Sequence, residues 1–316
     1  MKFALVFPGQ GSQKLGMMEA YGDNPLIRDT FAEASAALGR DLWQLVTEGP
    51  AEALNQTVNT QPLMLTAGIA AYRLWLAKGG PRPALVAGHS LGEYSALVAA
   101  GAIEFVDAVP LVELRARAMQ EAVPAGEGGM AAILGLDAAT VRAACAEAAE
   151  GQVVEAVNLN APEQTVIAGH AAAVQRAADL CKAKGAKRAM MLPVSAPFHC
   201  ALMRPAAEKL RQRLLTLKVS EPTIPLINNV DVTCFSDPEQ IKDALVRQAA
   251  APVRWVEIMQ AMAGQGVTHV YECGPGKVLA GLVKRCADGI EGVALADVTG
   301  IDAAITVLAE QLNLKA

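Results

Sequence analysis

The sequence predicts an α/β protein, a core built on a parallel sheet with a smaller ferredoxin-like βαββαβ unit inserted into it. Three observations predict it. Strand and helix patterns alternate along the first third of the chain, the order that builds parallel strands. A glycine cluster, Gly126-Glu127-Gly128-Gly129, then marks a change of texture suited to a domain crossing. Beyond Ser195 the α/β alternation resumes. The expected units are therefore a discontinuous large domain, residues 1–125 and 196–316, and an insertion at 126–195.

The apolar run Phe3 to Phe7 reads as a first strand that empties into the loop Pro8-Gly9-Gln10-Gly11-Ser12-Gln13. Helical stretches follow through Tyr72 to Lys78, and Pro81-Arg82-Pro83 separates them from a strand at Ala84 to Ala87. A helix runs from Leu91 to about Ala100. Pro110 fits the first turn of the next helix, with Asp107 as its cap, and that helix ends near Pro124. The insertion reads as strand Met130 to Leu134, helix Ala138 to Glu150, and strands Val153 to Leu159 and Thr165 to Ala168 split by Asn160-Ala161-Pro162. Helix Ala171 to Lys184 and strand Arg188 to Val194 complete the βαββαβ order. The core resumes with a helix at Met203 to Leu217, a strand at Ile224 to Asn228, helices at Glu239 to Ala249 and Trp255 to Ala263, and a strand at His269 to Glu272.

Composition narrows the function. The 316 residues are 53% hydrophobic and 19% charged, a balance that buries a large core. A net charge of −5 argues against nucleic acid, so any acidic partner must meet a local basic patch. No apolar run reaches the roughly 18 residues that cross a bilayer, and the N-terminal run is too short for a signal peptide. The six cysteines, Cys145, Cys181, Cys200, Cys234, Cys273 and Cys286, form no C-x-x-C pair and face no matching histidines. Neither a zinc site nor a redox motif is expected, and the thiols read as buried and free in a reducing cytoplasm.

The strongest local signal is Gly88-His89-Ser90-Leu91-Gly92, a G-x-S-x-G placed between an apolar strand and a helix. That is the setting of a nucleophile elbow, where a sharp turn lifts Ser90 Oγ over the end of the sheet. A serine needs a base. Of the four histidines, His89 and His170 lie in loops beside glycines and His269 precedes an apolar strand, settings of structural histidines. His199, in Ser195-Ala196-Pro197-Phe198-His199-Cys200, sits where the insertion rejoins the core, and the residues alone leave it open whether it is the base. The Gly9-x-Gly11 loop fails as a dinucleotide fingerprint because Lys14 stands where a glycine is needed, but it suits a loop of backbone N–H donors. Arg117 has Glu113 and Glu121 four residues to either side, a solvated face. Arg115 lies beside the apolar stripe with no acid on its own turn. Two readings stay open for it, a clamp for a substrate carboxylate or a side chain that pairs with a distant acid or snorkels to water.

Gly9-Gln10-Gly11-Ser12-Gln13, Gly88-His89-Ser90-Leu91-Gly92-Glu93-Tyr94, Arg115 with Met119-Gln120-Glu121, Phe198-His199, Pro252-Val253-Arg254-Trp255 and Glu272-Cys273-Gly274-Pro275-Gly276-Lys277 occur in this order. In these blocks the chain resembles, from end to end, the malonyl-CoA:acyl-carrier-protein transacylase family of type II fatty-acid synthesis. The resemblance implies a hydrolase-like α/β core with a ferredoxin-like insertion and ping-pong transfer of malonyl from malonyl-CoA to acyl carrier protein. It makes Ser90 the acylated nucleophile, His199 its base, and the backbone N–H groups of Gln10 and Leu91 the oxyanion hole. Arg115 would pair with the malonyl carboxylate, Gln61 would hold its guanidinium, and the Gln248 carbonyl would orient the histidine in place of an Asp. Phe198 would narrow the space beside the substrate α-carbon.

No cofactor or metal is implied, and a cytoplasmic monomer is expected. An acidic carrier protein calls for basic docking residues, for which Lys182, Lys184, Lys187 and Arg188 on the insertion and Lys277, Lys284 and Arg285 on the core are the candidates. The rivals are a serine thioesterase or esterase that passes the acyl group to water, a nucleotide-binding module, and a polyketide acyltransferase. The chain's end at Ala316 without flanking modules favours a stand-alone enzyme over a domain of a polyketide synthase.

Overall fold

Phe3–Phe7 are five consecutive buried residues, the mark of a strand covered on both faces, and they form the centre of the core sheet. The computed structural model describes residues 1–194 and 196–312; Ser195, at the expected end of the insertion, and residues 313–316 of the expected large domain lie outside it. The strands are β1 (Phe3–Phe7), β2 (Leu85–Gly88), β3 (Gly128–Leu134), β4 (Val154–Ala161), β5 (Gln164–His170), β6 (Arg188–Met191), β7 (His269–Cys273) and β8 (Glu291–Leu295). The core sheet has the order β2-β1-β7-β8, all parallel. The second sheet has the order β4-β5-β3-β6, all antiparallel, with helices Ala138–Ala148 and Ala171–Ala183 as its crossovers. This is the expected α/β core with a ferredoxin-like unit.

The period of two in β1 divides the core. Phe3, Leu5 and Phe7 face one apolar cluster with helix Thr57–Ala77, while Ala4 and Val6 face the other with Trp255, Ile258 and Met259. A third cluster, with Ile133, Val141, Ile167 and Val174, lies under the inserted sheet.

Several elements depart from the sequence reading. Helix Thr57–Ala77 begins well before Tyr72; it is buried nearly all round, so no amphipathic period announced it. Pro110 is not in a first turn: the helix runs Phe105–Glu121 with Glu104 at its N-cap, and Asp107 is a first-turn acid rather than a cap. Ile224 to Asn228 does not form a strand. The Val86 N–H donates to Pro225 O and the Ile227 N–H to Val86 O, both at 3.0 Å, but Pro225 has no N–H to extend the ladder. Asn160 and Ala161 belong to β4, and the turn is at Pro162-Glu163. The predicted strand to Val194 stops at Met191. The edge strand β8 and the helices Pro25–Leu38, Val278–Cys286 and Val298–Gln311 have no counterpart in the sequence reading. Cys234 is exposed, whereas the other five thiols are buried as expected.

The end of β1, the end of β2 and the Pro225-to-Asn229 segment beside β2 all finish on one edge of the core sheet. Open α/β sheets gather their sites at those strand ends.

Candidate active site

Ser90 sits at φ 52°, a left-handed conformation that costs a non-glycine residue about 1–2 kcal/mol, so the surroundings must enforce it. They do so by close approach. A Cβ on Gly88 would lie 1.9 Å from the Gly92 backbone, and one on Gly92 would lie 2.0 Å from Phe7 O. Asn229 then clasps the turn, accepting from the Ser90 N–H at 2.9 Å and donating from Nδ2 to Gly88 O at 2.7 Å. Its own N–H donates to Glu93 Oε2 at 3.0 Å.

His199 also has a left-handed backbone, φ 66°, and its Nε2 stands 2.7 Å from Ser90 Oγ. Its Nδ1 is 2.8 Å from Gln248 O. A carbonyl only accepts, so Nδ1 carries the hydrogen and Nε2 presents its lone pair to the serine. Burial, reinforced by the positive charge of Arg115, pushes the imidazole down to about 3, so it is neutral at ordinary pH. Among the described residues no carboxylate hydrogen-bonds this histidine.

Arg115 is 1% exposed. Its Nη1 donates to Gln61 Oε1 at 2.8 Å, and its Nη2 donates to Gln248 Oε1 at 2.9 Å and to Ser90 Oγ at 3.1 Å. The ring of Tyr94 lies 5.3 Å from the guanidinium carbon. Nε is buried without a partner, and among the described residues no acid forms an ion pair with this group. A buried guanidinium held only by neutral oxygens has capacity left for an anion. The distant-acid alternative for Arg115 therefore falls away, while Arg117 is exposed and pairs with Glu113 at 3.9 Å.

The loop after β1 closes the other side. A Cβ on Gly9 would lie 2.5 Å from His89 O, so the two loops abut directly. Gln10 is fixed by Thr57, whose hydroxyl donates to its Oε1 at 2.8 Å. Among the described residues the backbone N–H groups of Gln10 and Leu91 have no acceptor. Both residues line a cleft of about 740 Å³ with Ser90, His199, Arg115 and Phe198, and the half-buried Phe198 forms part of its apolar wall.

The structure thus brings Ser90, His199, Arg115, Gln61, Gln248, Gln10, Leu91 and Phe198 together. It leaves Lys182, Lys184, Lys187, Arg188, Lys277, Lys284 and Arg285 exposed and outside the cleft. Lys184 pairs with Glu147 at 3.6 Å, and Arg285 donates to Gln164 Oε1 at 2.6 Å. His170 and His269 stand apart from the site, whereas His89 lines the cleft and its Nε2 is 2.7 Å from Asn160 Oδ1 on β4. Two residues escaped the sequence reading. Asn229 could have been suspected from its place at the end of an apolar segment, and Glu93 from its position two residues into the helix behind the elbow. Among the described residues no group of three or more His, Cys, Asp or Glu is placed to hold a metal ion.

The family described as Acyl transferase domain matches the chain over residues 4–303. The malonyl CoA-acyl carrier protein transacylase of Salmonella typhimurium is 58% identical over 306 residues, 96% of this chain and 99% of that one. The crystal structure of acyl-carrier-protein S-malonyltransferase from Burkholderia pseudomallei is 60% identical and superposes with a TM-score of 0.95, covering 97% of this chain and 100% of the other. A malonyl-transacylase solved in complex with its type II polyketide acyl-carrier protein is 52% identical, with a TM-score of 0.96 and coverage of 97% and 100%. Matched along nearly its whole length in sequence and in fold, the chain belongs to the acyl transferase domain family, alongside the malonyl CoA-acyl carrier protein transacylases.

Proposed function

We propose that this protein moves a malonyl group from malonyl-CoA to the pantetheine thiol of acyl carrier protein through a malonyl ester on Ser90. The names of its near relatives support the overall transfer. The observation that carries the reading to the site is a buried Arg115, without an acidic partner among the described residues, 3.1 Å from the nucleophilic oxygen. A substrate carboxylate at that guanidinium places the thioester carbon beside Ser90.

His199 Nε2 accepts the Ser90 proton as Oγ attacks the thioester carbonyl. The oxyanion is received by the N–H groups of Gln10 and Leu91, the tetrahedral intermediate collapses, and the proton passes from His199 to the departing CoA sulfur. The carrier's thiol then enters the same cleft, gives its proton to His199 and attacks the ester. Malonyl leaves on the carrier and the proton returns to Ser90. The Gln248 carbonyl does the work of a third triad member by holding the Nδ1 hydrogen, and Gln61 holds the other arm of Arg115.

Phe198 in this reading limits bulk beside the α-carbon. The seven exposed basic residues offer the positive surface that an acidic carrier needs. The division into residues 1–125 with 196–316 and an insertion at 126–195 agrees with the two sheets, and a cytoplasmic monomer without a cofactor fits the chemistry. The relation to a polyketide transacylase supports a second reading, in which the carrier belongs to polyketide synthesis. Loading with malonyl-CoA and timing the acyl-enzyme with and without a carrier thiol tests the transfer. A long-lived ester discharged by the thiol supports it, and rapid loss to water makes the protein a thioesterase.

A further inference from the structure

Gln248 joins three parts of the site. Its main-chain carbonyl holds His199, its Oε1 accepts from Arg115, and its Nε2 donates to Ser90 O at 2.9 Å and to Glu93 Oε2 at 3.1 Å. The side-chain amide therefore has only one workable orientation. Reversed, it would set an NH₂ against the guanidinium and an oxygen against Glu93, the Ser90 carbonyl and Asn229 Oδ1. Glu93 is 2% exposed, and the same Oε2 also receives the Asn229 N–H, from the residue that clasps the elbow.

We propose that Glu93 is a positioning residue for selectivity, its Oε2 holding the Gln248 amide so that Arg115 stays aimed into the cleft with its remaining N–H groups free for a carboxylate. The inference rests on the reading of Arg115 as a malonyl clamp. Were Glu93 to touch Arg115 directly it would compete with the substrate. Placed one amide away, it orients the guanidinium without occupying it. The acceptor oxygen, rather than the charge, carries the role, because burial lifts this carboxyl to about 7 and both protonation states offer that oxygen to its two donors.

Glu93→Met and Glu93→Gln separate the two, since both match the size of glutamate but only Gln keeps an acceptor. Malonyl-CoA and acetyl-CoA compete for each variant and for the same substitutions in an Arg115→Ala background. Glu93→Met is expected to lower the malonyl preference about tenfold, the scale of one charge-assisted hydrogen bond, with Glu93→Gln within about twofold of the unaltered chain. In the Arg115→Ala background Glu93→Met should change the preference by less than about twofold. An unchanged preference in folded Glu93→Met, or an equal loss with and without Arg115, overturns the proposal. If Glu93→Met does not fold, Gln248→Met cuts the same link from its other end and must show the same loss; an unchanged preference there overturns it too. Failure of the unaltered chain to load malonyl is a different result, which removes the transfer reading itself.

Discussion

Replacing Arg115 with Ala removes the cation that stands 3.1 Å from the nucleophilic oxygen. A charge-assisted hydrogen bond contributes about 1.5–3 kcal/mol, so losing the carboxylate's partner should lower kcat/KM for malonyl-CoA relative to acetyl-CoA roughly ten- to a hundredfold. The fold loses less than the contacts suggest. Gln61 Oε1 and Gln248 Oε1 lose their donor, at about 1–3 kcal/mol for each buried acceptor, but the desolvation cost of an unpaired buried cation disappears as well. Lysine should not restore the activity, because one ammonium cannot reach both amide oxygens and still present two parallel N–H groups. The substitution has a second consequence. Arg115 is the next largest cause, after burial, of the depressed His199 pKa, so the acid limb of the pH–rate profile should rise towards 6.5 in the variant. The assay is competition between malonyl-CoA and acetyl-CoA, with a neutral serine-directed phosphonate to show that Ser90 stays reactive. An unchanged malonyl preference in a phosphonate-reactive Arg115→Ala would refute the clamp.

In the unaltered chain, acylation of Ser90 should stay level from pH 8 to well below 6.5, because His199 becomes protonated only near 3; a fall centred at 6.5 in stopped-flow loading would contradict its burial as neutral imidazole. Ser90→Ala should form no acyl-enzyme and keep its melting temperature within a few degrees, since alanine retains the Cβ and the same left-handed strain. Gly88→Ala should cost more than about 4 kcal/mol in denaturant unfolding, because its Cβ meets backbone rather than a movable side chain. Glu272 is fully buried with Oε1 unpartnered, and burial raises its carboxyl to about 7. The folded state therefore holds a proton that the unfolded chain releases near 4.5, and this group's contribution to stability falls as pH rises through that window. Buried Glu93 adds to the fall and buried His199 opposes it, so the test is the difference between chains: the urea midpoint of Glu272→Gln should gain on that of the unaltered chain between pH 5 and 8. Charge reversal at several of Lys182, Lys184, Lys187, Arg188, Lys277, Lys284 and Arg285 should raise KM for the carrier while leaving transfer to a small thiol unchanged, and equal effects on both acceptors would remove the docking role.

The elbow was legible because its chemistry is local: glycines two residues either side of Ser90, a strand before and a helix after. The βαββαβ order was legible for a similar reason, since short strands and amphipathic helices carry their periods in the sequence. What stayed hidden depends on distance or on uniform burial. Asn229 reaches the Ser90 N–H across 139 residues, and its place at the end of an apolar segment hints at a role without pointing to its partner. Gln248 was placed only through the family resemblance, and then only for its carbonyl; its amide, which ties Arg115 to Glu93, becomes visible once three elements meet. The long helix from Thr57 lacks an exposed face to set its period, and Pro62 within it reads as a break. The edge strand β8 is half open to solvent and only five residues long, with a glycine inside it, so it resembles a loop.

Incubation with malonyl-CoA, digestion, and mass spectrometry of the peptide that contains Ser90, followed by a chase with carrier protein or buffer alone, tests the central claim most directly. A malonyl ester mapped to Ser90, stable in buffer and passed intact to the carrier's pantetheine thiol, is the predicted result. An ester on another residue, or one lost equally fast in both chases, contradicts it.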